Sequence, residues 1–160
     1  MEFKERVIKI CDNLNILPDY LMASMAFETA LTFSSSIYNK AGSGAVGLIQ
    51  FIPPTATNLG TTTKALENMK AEDQLDYVEK YFQNIAGNLN TLAEVYMAIF
   101  LPIAIGKSPD FVLIDKNTNP IEYEQNISLD IDKDGKITKG EAALKVNEIL
   151  KEGLKPINLG

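Results

Sequence analysis

The chain has 160 residues, of which 46% are hydrophobic and 22% charged, a composition typical of a globular protein with its own core. Its net charge of −6 argues against nucleic acid as a partner, and no apolar run is long enough to insert into a membrane. The chain lacks histidine, which excludes serine–histidine catalysis and most catalytic zinc sites. We expect one domain over residues 1–160, a monomer, and no signal peptide, because charges are scattered through the first residues.

Apolar residues recur at helical spacing along most of the chain. They predict a first helix over residues 3–14, whose apolar stripe contains the single cysteine, Cys11, as a buried structural thiol. Pro18 suits the first turn of a second helix that runs to about Thr29. Serines and glycines over residues 30–53 then predict a small irregular or β lobe. Further helices are predicted at 55–59, 71–86, from 92 to about Pro102, and 139–152, so the fold class is mainly α.

Glu28 is an isolated carboxylate at the end of the predicted second helix. Leu21 and Met25 share its helical face, and no other acidic residue follows until Glu67. An apolar environment disfavours the charged form of a glutamate, which is the property that a general acid needs near neutral pH. Glu28 is therefore a candidate catalytic acid; the alternative is an exposed glutamate at a helix end.

The segment GSGAVGLIQFIPPTATNLG, residues 42–60, resembles a motif of the soluble lytic transglycosylases and goose-type lysozymes. Those families have Glu-Ser at a helix end, then Gly-Leu-Met-Gln, then Pro-x-Thr-Ala. The corresponding residues here are Glu28-Thr29, Gly47-Leu48-Ile49-Gln50 and Pro54-Thr55-Ala56. Tyr96 aligns with the tyrosine of a later Ala-Tyr-Asn element, whose asparagine is replaced by Met97. The resemblance is strongest to phage members and implies a lysozyme-like (α+β) fold.

The resemblance also implies a reaction. A lytic transglycosylase cleaves the β-1,4 bond between N-acetylmuramic acid and N-acetylglucosamine in peptidoglycan. Glu28 would act first as acid and then as base, and the C6 hydroxyl of the muramic acid would close a 1,6-anhydro ring. Gln50 and Tyr96 would position the sugar beside Thr29 and Ile49, unless they are ordinary structural residues. Most glycosidases use two carboxylates, and Glu67, Asp73 and Glu94 are distant acids that could reach the site.

Other functions and locations stay open at this point. The same fold could hydrolyse the glycan as a lysozyme. The chain could also be a calcium-dependent module that binds cell-wall glycan without cleaving it, or a structural virion component whose lysozyme-like fold has lost activity. The expected partner is a peptidoglycan glycan strand. We expect either release from the host cytoplasm to the cell wall or periplasm, or transport on a phage tail.

A second motif, DIDKDGKITKGE at residues 130–141, matches the twelve-residue EF-hand calcium loop. Carboxylate and hydroxyl oxygens, with one backbone carbonyl, are the ligands that Ca²⁺ prefers. The predicted ligands are Asp130, Asp132, Asp134, the carbonyl of Lys136, Thr138 and Glu141. Because one loop is present and switching EF-hands usually come in pairs, we expect a structural Ca²⁺ that holds an EF-hand-like subregion, residues 120–152.

Overall fold

The computed structural model describes residues 2–39, 42–85 and 87–158. The described chain is mainly helical, as predicted, with one small antiparallel sheet. It divides into two compact units, one within residues 1–86 and one within residues 87–160. The prediction of a single domain stays a prediction, as does the lysozyme-like fold.

The first unit, over its described residues, contains five α-helices. They are α1 (Phe3–Leu14), α2 (Pro18–Glu28), α3 (Pro53–Asn58), α4 (Thr63–Glu67) and α5 (Ala71–Gln83). A capping box between Glu2 and Glu5 begins α1, and Pro18 occupies the first turn of α2. The predicted end of α5 at residue 86 lies outside the described residues.

The core of the first unit lies where α1 packs against α2 and α5. Its apolar stripes are buried, including Val7 and Ile10 of α1, Leu21 and Met25 of α2, and Leu75, Val78 and Phe82 of α5. Cys11 is fully buried, as predicted, and burial raises the pKa of its thiol to about 12. The thiol therefore stays protonated at neutral pH, as expected for a structural cysteine.

The segment between α2 and α3 is built from turns. Its described residues contain two isolated β bridges, Tyr38 to Val46 and Val46 to Phe51, and no extended strand. Residues 40 and 41 of the predicted lobe lie outside the described residues. The segment is therefore irregular, with local β pairing, in agreement with the prediction from its serines and glycines.

In the described residues, the second unit contains three α-helices and two short strands. They are α6 (Leu92–Phe100), β1 (Val112–Asp115), α7 (Pro120–Gln125), β2 (Lys136–Thr138) and α8 (Lys139–Gly153). The strands pair antiparallel, with Val112 opposite Thr138, Ile114 opposite Ile137 and Asp115 opposite Lys136. Helix α6 packs against α8. The acidic motif thus runs from the residue before a turn, through β2, into the first turn of α8.

Candidate functional site

Glu28 is the last residue of the apolar helix α2. Leu21 and Met25 on the same helix are fully buried, whereas Glu28 itself is half-buried. Its position at the boundary between core and surface agrees with the helical face predicted from the sequence. A carboxylate there can contact both an apolar wall and a ligand from solvent.

The turn after Glu28 is fixed by the buried Thr29. The Thr29 hydroxyl donates to the Met25 carbonyl at 2.8 Å and accepts the Phe33 N–H at 3.0 Å. The ring of Phe33 packs edge-on against Phe3, with 5.7 Å between ring centroids. Thr29 therefore holds the chain that leaves Glu28, a role that uses the one O–H donor of its hydroxyl.

The same turn has an unusual backbone. Ala30, Leu31 and Phe33 all have positive φ, at 49°, 68° and 51°. The Leu31 N–H donates to the Ala26 carbonyl at 2.7 Å, which closes the end of α2. Non-glycine residues in this region carry strain that the surrounding structure must offset, and such strain clusters at functional sites.

The Gly-Leu-Ile-Gln element forms a tight turn between the two β bridges. Gly47 has φ +83° and Gln50 has φ +55°, so both lie in the left-handed region. The Gln50 amide donates to the Ile37 carbonyl at 3.2 Å and to the Gly47 carbonyl at 3.1 Å. The Gln50 side chain thus links its own turn to Ile37, which lies nine residues after Glu28.

Gln74 of α5 holds this turn in place through its side-chain amide. It is fully buried; its amide N–H groups donate to the carbonyls of Ser35 and Leu66 at 3.1 and 3.0 Å, and its oxygen accepts the Leu48 N–H at 2.7 Å. A Cβ on Gly47 would lie 2.3 Å from the Gln74 oxygen. The absence of a side chain at Gly47 therefore allows Gln74 to connect the segment after Glu28, the Gln50 turn and α4.

The four predicted substrate residues differ in accessibility. Thr29, Ile49 and Tyr96 are buried, with exposed fractions of 0%, 4% and 1%, and Gln50 is half-buried. Tyr96 belongs to the second unit, where its ring stacks on Phe100 at 5.6 Å between centroids. The structure gives Thr29 and Gln50 clear supporting roles, and contact of all four with a sugar stays a prediction.

The three distant acids considered as a second carboxylate, Glu67, Asp73 and Glu94, all have cationic partners. Lys64 donates to Glu67 at 2.8 Å, and Tyr38 donates to the same oxygen at 3.0 Å. These two hydrogen bonds lower the pKa of Glu67. Asp73 pairs with Arg6 at 3.4 Å, and Glu94 pairs with Lys139 at 2.7 Å.

A shallow depression of about 580 Å³ lies between α1 and α5. Charged residues of both signs line it, among them Arg6, Lys9, Asp73 and Asp76. None of the predicted site residues is among those that line it. Arg6 bridges Asp73 and Asp76, which indicates a solvated ion-pair surface that joins two helices.

The predicted calcium loop does bring three of its acids together. Ligand oxygens of Asp130, Asp132 and Asp134 all lie within 4.8 Å of one another. Asp130 is only 6% exposed, and its Oδ1 has no hydrogen-bond partner among the described residues. A buried carboxylate oxygen without a donor is costly unless a cation satisfies it. This cluster therefore suits a metal ion that takes hard oxygen ligands.

The other oxygen of Asp130 is held by the loop and by α7. The Gly135 N–H donates to Oδ2 at 3.0 Å, and the buried hydroxyl of Tyr123 donates to the same atom. The bond from Tyr123 lowers the pKa of Asp130 against the opposing effect of burial, and the same bond raises the pKa of Tyr123 to about 12. Asp130 is thus kept ionised, with one oxygen fixed and one directed at the cluster.

Glu141 and Thr138 close the loop onto α8. Each Glu141 oxygen accepts two hydrogen bonds: Oε1 from the Ile131 and Asp132 N–H groups at 2.9 and 3.3 Å, and Oε2 from the N–H and hydroxyl of Thr138 at 2.9 and 2.8 Å. Burial raises the pKa of Glu141, but the four hydrogen bonds together outweigh it, so the pKa is lowered. Its carboxylate therefore spans both ends of the loop, while ligation by Glu141, Thr138 and the Lys136 carbonyl stays a prediction.

Comparison with known proteins adds no relative. No protein-family model, curated protein or solved structure matches the chain. Among the described residues, no helix is both long and apolar enough to cross a membrane.

Sequence reasoning misses three residues that organise these sites: Gln74, Tyr123 and Lys139. Gln74 lies four residues before Val78 and eight before Phe82, on the buried face of α5. A polar residue within an apolar helical stripe is the sequence signal that could have identified it as a buried structural residue. Tyr123 contacts Asp130 from seven residues before the motif, and Lys139 contacts Glu94, which is distant in sequence. The EF-hand pattern specifies neither position.

Proposed function

We propose that the protein is a peptidoglycan lytic transglycosylase of phage type, with Glu28 as its catalytic residue and Ca²⁺ in its C-terminal loop. The observation that carries the proposal is the position of Glu28, half-buried at the end of an apolar helix and followed at once by a strained, hydrogen-bonded turn. The motif resemblance supplies the reaction, and the geometry supports it.

The proposed reaction uses one carboxylate twice. Protonated Glu28 donates its proton to the oxygen that bridges N-acetylmuramic acid and N-acetylglucosamine, and the bond from the anomeric carbon to that oxygen breaks. The substrate's N-acetyl group stabilises the positive charge on the sugar. The Glu28 carboxylate then removes the proton of the C6 hydroxyl, whose oxygen bonds to the anomeric carbon. Because this nucleophile belongs to the substrate, proximity replaces a second carboxylate.

The distribution of acids supports a single-carboxylate reaction. No acidic residue occurs between Glu28 and Glu67 in the sequence. Glu67, Asp73 and Glu94 each form an ion pair. A two-carboxylate reaction that used one of these three acids would have to compete with its ion pair.

For the loop, we propose Ca²⁺ held by Asp130, Asp132 and Asp134. The remaining ligands are the backbone carbonyl of Lys136 and the side chains of Thr138 and Glu141. Support comes from the clustered aspartate oxygens and the unsatisfied Asp130 Oδ1. Oxygen ligands in a flexible twelve-residue loop suit Ca²⁺ better than Mg²⁺, which demands a tighter octahedral geometry. The bound ion would offset two of the three negative charges of the aspartates and order the loop that leads into α8.

A turbidity assay on purified bacterial cell walls tests the catalytic assignment. We expect the wild-type protein to clear the suspension, and we expect Glu28→Gln to reduce the rate to background while the protein stays folded. Asp19→Asn is a matched control, because Asp19 is an exposed acid at the other end of the same helix. Clearing by folded Glu28→Gln at the wild-type rate would contradict the assignment, and wall binding without clearing by the wild type would indicate a non-catalytic binder.

A further inference from the structure

Lys139 is a buried cation placed inside the acidic loop motif. It lies between Thr138 and Glu141 and is only 4% exposed. Its ammonium group donates to the Glu94 carboxylate at 2.7 Å, the Lys107 carbonyl at 2.8 Å and the Ala104 carbonyl at 3.0 Å. An ammonium has three N–H donors, so this site satisfies all of them.

These contacts attach the end of the loop to α6. The second Glu94 oxygen accepts the Gly106 N–H at 3.0 Å, which joins α6 to the turn that follows it. The backbone N–H of Lys139 donates to the Phe111 carbonyl at 2.9 Å. Lys139 therefore joins three segments of the second unit: the loop, helix α6 and residues 104–111.

The connection is stiff for physical reasons. Moving the ammonium away would leave a carboxylate and two carbonyls without their donor, and breaking a buried ion pair is strongly unfavourable. On the other side, Thr138 bonds to Glu141, and Glu141 accepts the N–H groups of Ile131 and Asp132 at the start of the loop. Because Lys139 follows Thr138 directly in the chain, a change in the order of the loop acts directly on the position of Lys139.

We propose that Lys139 transmits metal occupancy of the loop to α6, so that binding of Ca²⁺ stabilises residues 94–107 as well as the loop itself. This inference rests on the metal site of the proposed function and is independent of glycan cleavage. Helix α6 also carries Tyr96, so the link connects the metal to the helix of a predicted substrate residue.

Hydrogen exchange of the full chain, measured by mass spectrometry in Ca²⁺ and in EDTA, tests the link. With Ca²⁺ at about 100 times its Kd, we expect exchange in the wild-type loop and in residues 94–107 to slow by up to about 100-fold. In Lys139→Met the slowing should persist at residues 130–141 and disappear at residues 94–107. Lys151→Met, an exposed lysine on the same helix, should behave as wild type.

Each outcome decides the inference. The link alone is overturned if Ca²⁺ still slows hydrogen exchange at residues 94–107 in Lys139→Met. It is also overturned if Ca²⁺ does not slow exchange there in the wild type. Absence of Ca²⁺ binding in calorimetry overturns the metal site and the link together, whereas loss of the glycan-cleavage proposal affects neither. If Lys139→Met does not fold, Glu94→Gln replaces it, because it keeps the side-chain shape and removes the charge. We expect Ca²⁺ to slow hydrogen exchange at residues 94–107 less in Glu94→Gln than in wild type. Slowing equal to that of wild type would overturn the link.

Discussion

Gly47 faces the buried amide of Gln74 and has a φ of +83°. Any side chain there meets two separate penalties, one from the left-handed backbone and one from the atoms it would displace. Gln74 could move only by breaking its bonds to Ser35, Leu48 and Leu66. The requirement for glycine therefore comes from a contact distant in sequence as well as from the local turn.

We predict that Gly47→Ala lowers the free energy of unfolding by about 3 kcal/mol, which combines left-handed strain with overpacking of a buried site. Gly60→Ala is the matched control, because Gly60 has φ +77° and a Cβ added there would meet nothing within 4 Å. It should lose only about 1 kcal/mol, the strain contribution. Urea denaturation of both variants measures the difference, and equal losses would contradict the role given to Gln74.

At the scale of elements, the long helices agree closely with their sequence patterns. The apolar stripe predicts the first helix over residues 3–14, and the helix is observed at Phe3–Leu14, because the stripe spans three turns. The short helices α4 and α7, of five and six residues, are too short to display a period, and the sequence does not predict them. The equally short α3 is predicted, at residues 55–59, from the position of Gly60 after it. Strand β1 also escapes prediction, since its partner β2 lies more than twenty residues later.

In the acidic loop, too, some features follow from the local sequence pattern and others depend on contacts with another element. The positions of the three aspartates follow from a local pattern, and the structure confirms that they lie together. The hydroxyl that holds Asp130 comes from α7, an element that the sequence does not reveal. Local patterns therefore predict the ligands, whereas packing decides what supports them.

The contact between α7 and the loop predicts a pH dependence. The pKa of Asp130 is lowered mainly by Tyr123, so this bond stabilises the fold above the carboxyl's ordinary pKa and the effect is lost as pH falls through the lowered value. In EDTA, we expect Tyr123→Phe to be less stable than wild type at about pH 6, and the difference to shrink below about pH 4. Because the pKa of Tyr123 is raised to about 12, its hydroxyl stays a donor throughout this range.

Urea midpoints measured across this pH range test the prediction. Tyr77→Phe is the control, since its ring contact with Lys80 survives the loss of the hydroxyl. A difference between wild type and Tyr123→Phe that does not change with pH would contradict the Asp130 linkage.

At the scale of the whole molecule, metal binding should add to folding stability. A site that is absent from the unfolded chain stabilises the native state by about 2.7 kcal/mol when Ca²⁺ is at 100 times its Kd. For a chain of this size, EDTA should then lower the Tm by roughly 5–10 °C. Differential scanning fluorimetry in Ca²⁺ and in EDTA measures the shift.

Asp132→Asn separates the metal from other causes of this shift. Asp132 is exposed, and asparagine keeps the oxygen that accepts the Asp134 N–H at 3.1 Å. We expect the variant to have nearly the wild-type Tm in EDTA and a much smaller response to Ca²⁺. An unchanged wild-type Tm after chelation would contradict the calcium site.

The central claim is that Glu28 cleaves a glycan strand with the sugar's own hydroxyl as nucleophile. The most direct test is mass spectrometry of the muropeptides released from purified peptidoglycan by wild type and by Glu28→Gln. We predict that wild-type products carry 1,6-anhydro ends, each lighter by one water than a hydrolytic reducing end, and that Glu28→Gln releases none. Reducing ends alone would indicate a hydrolytic lysozyme, and no wild-type product at all would contradict glycan cleavage.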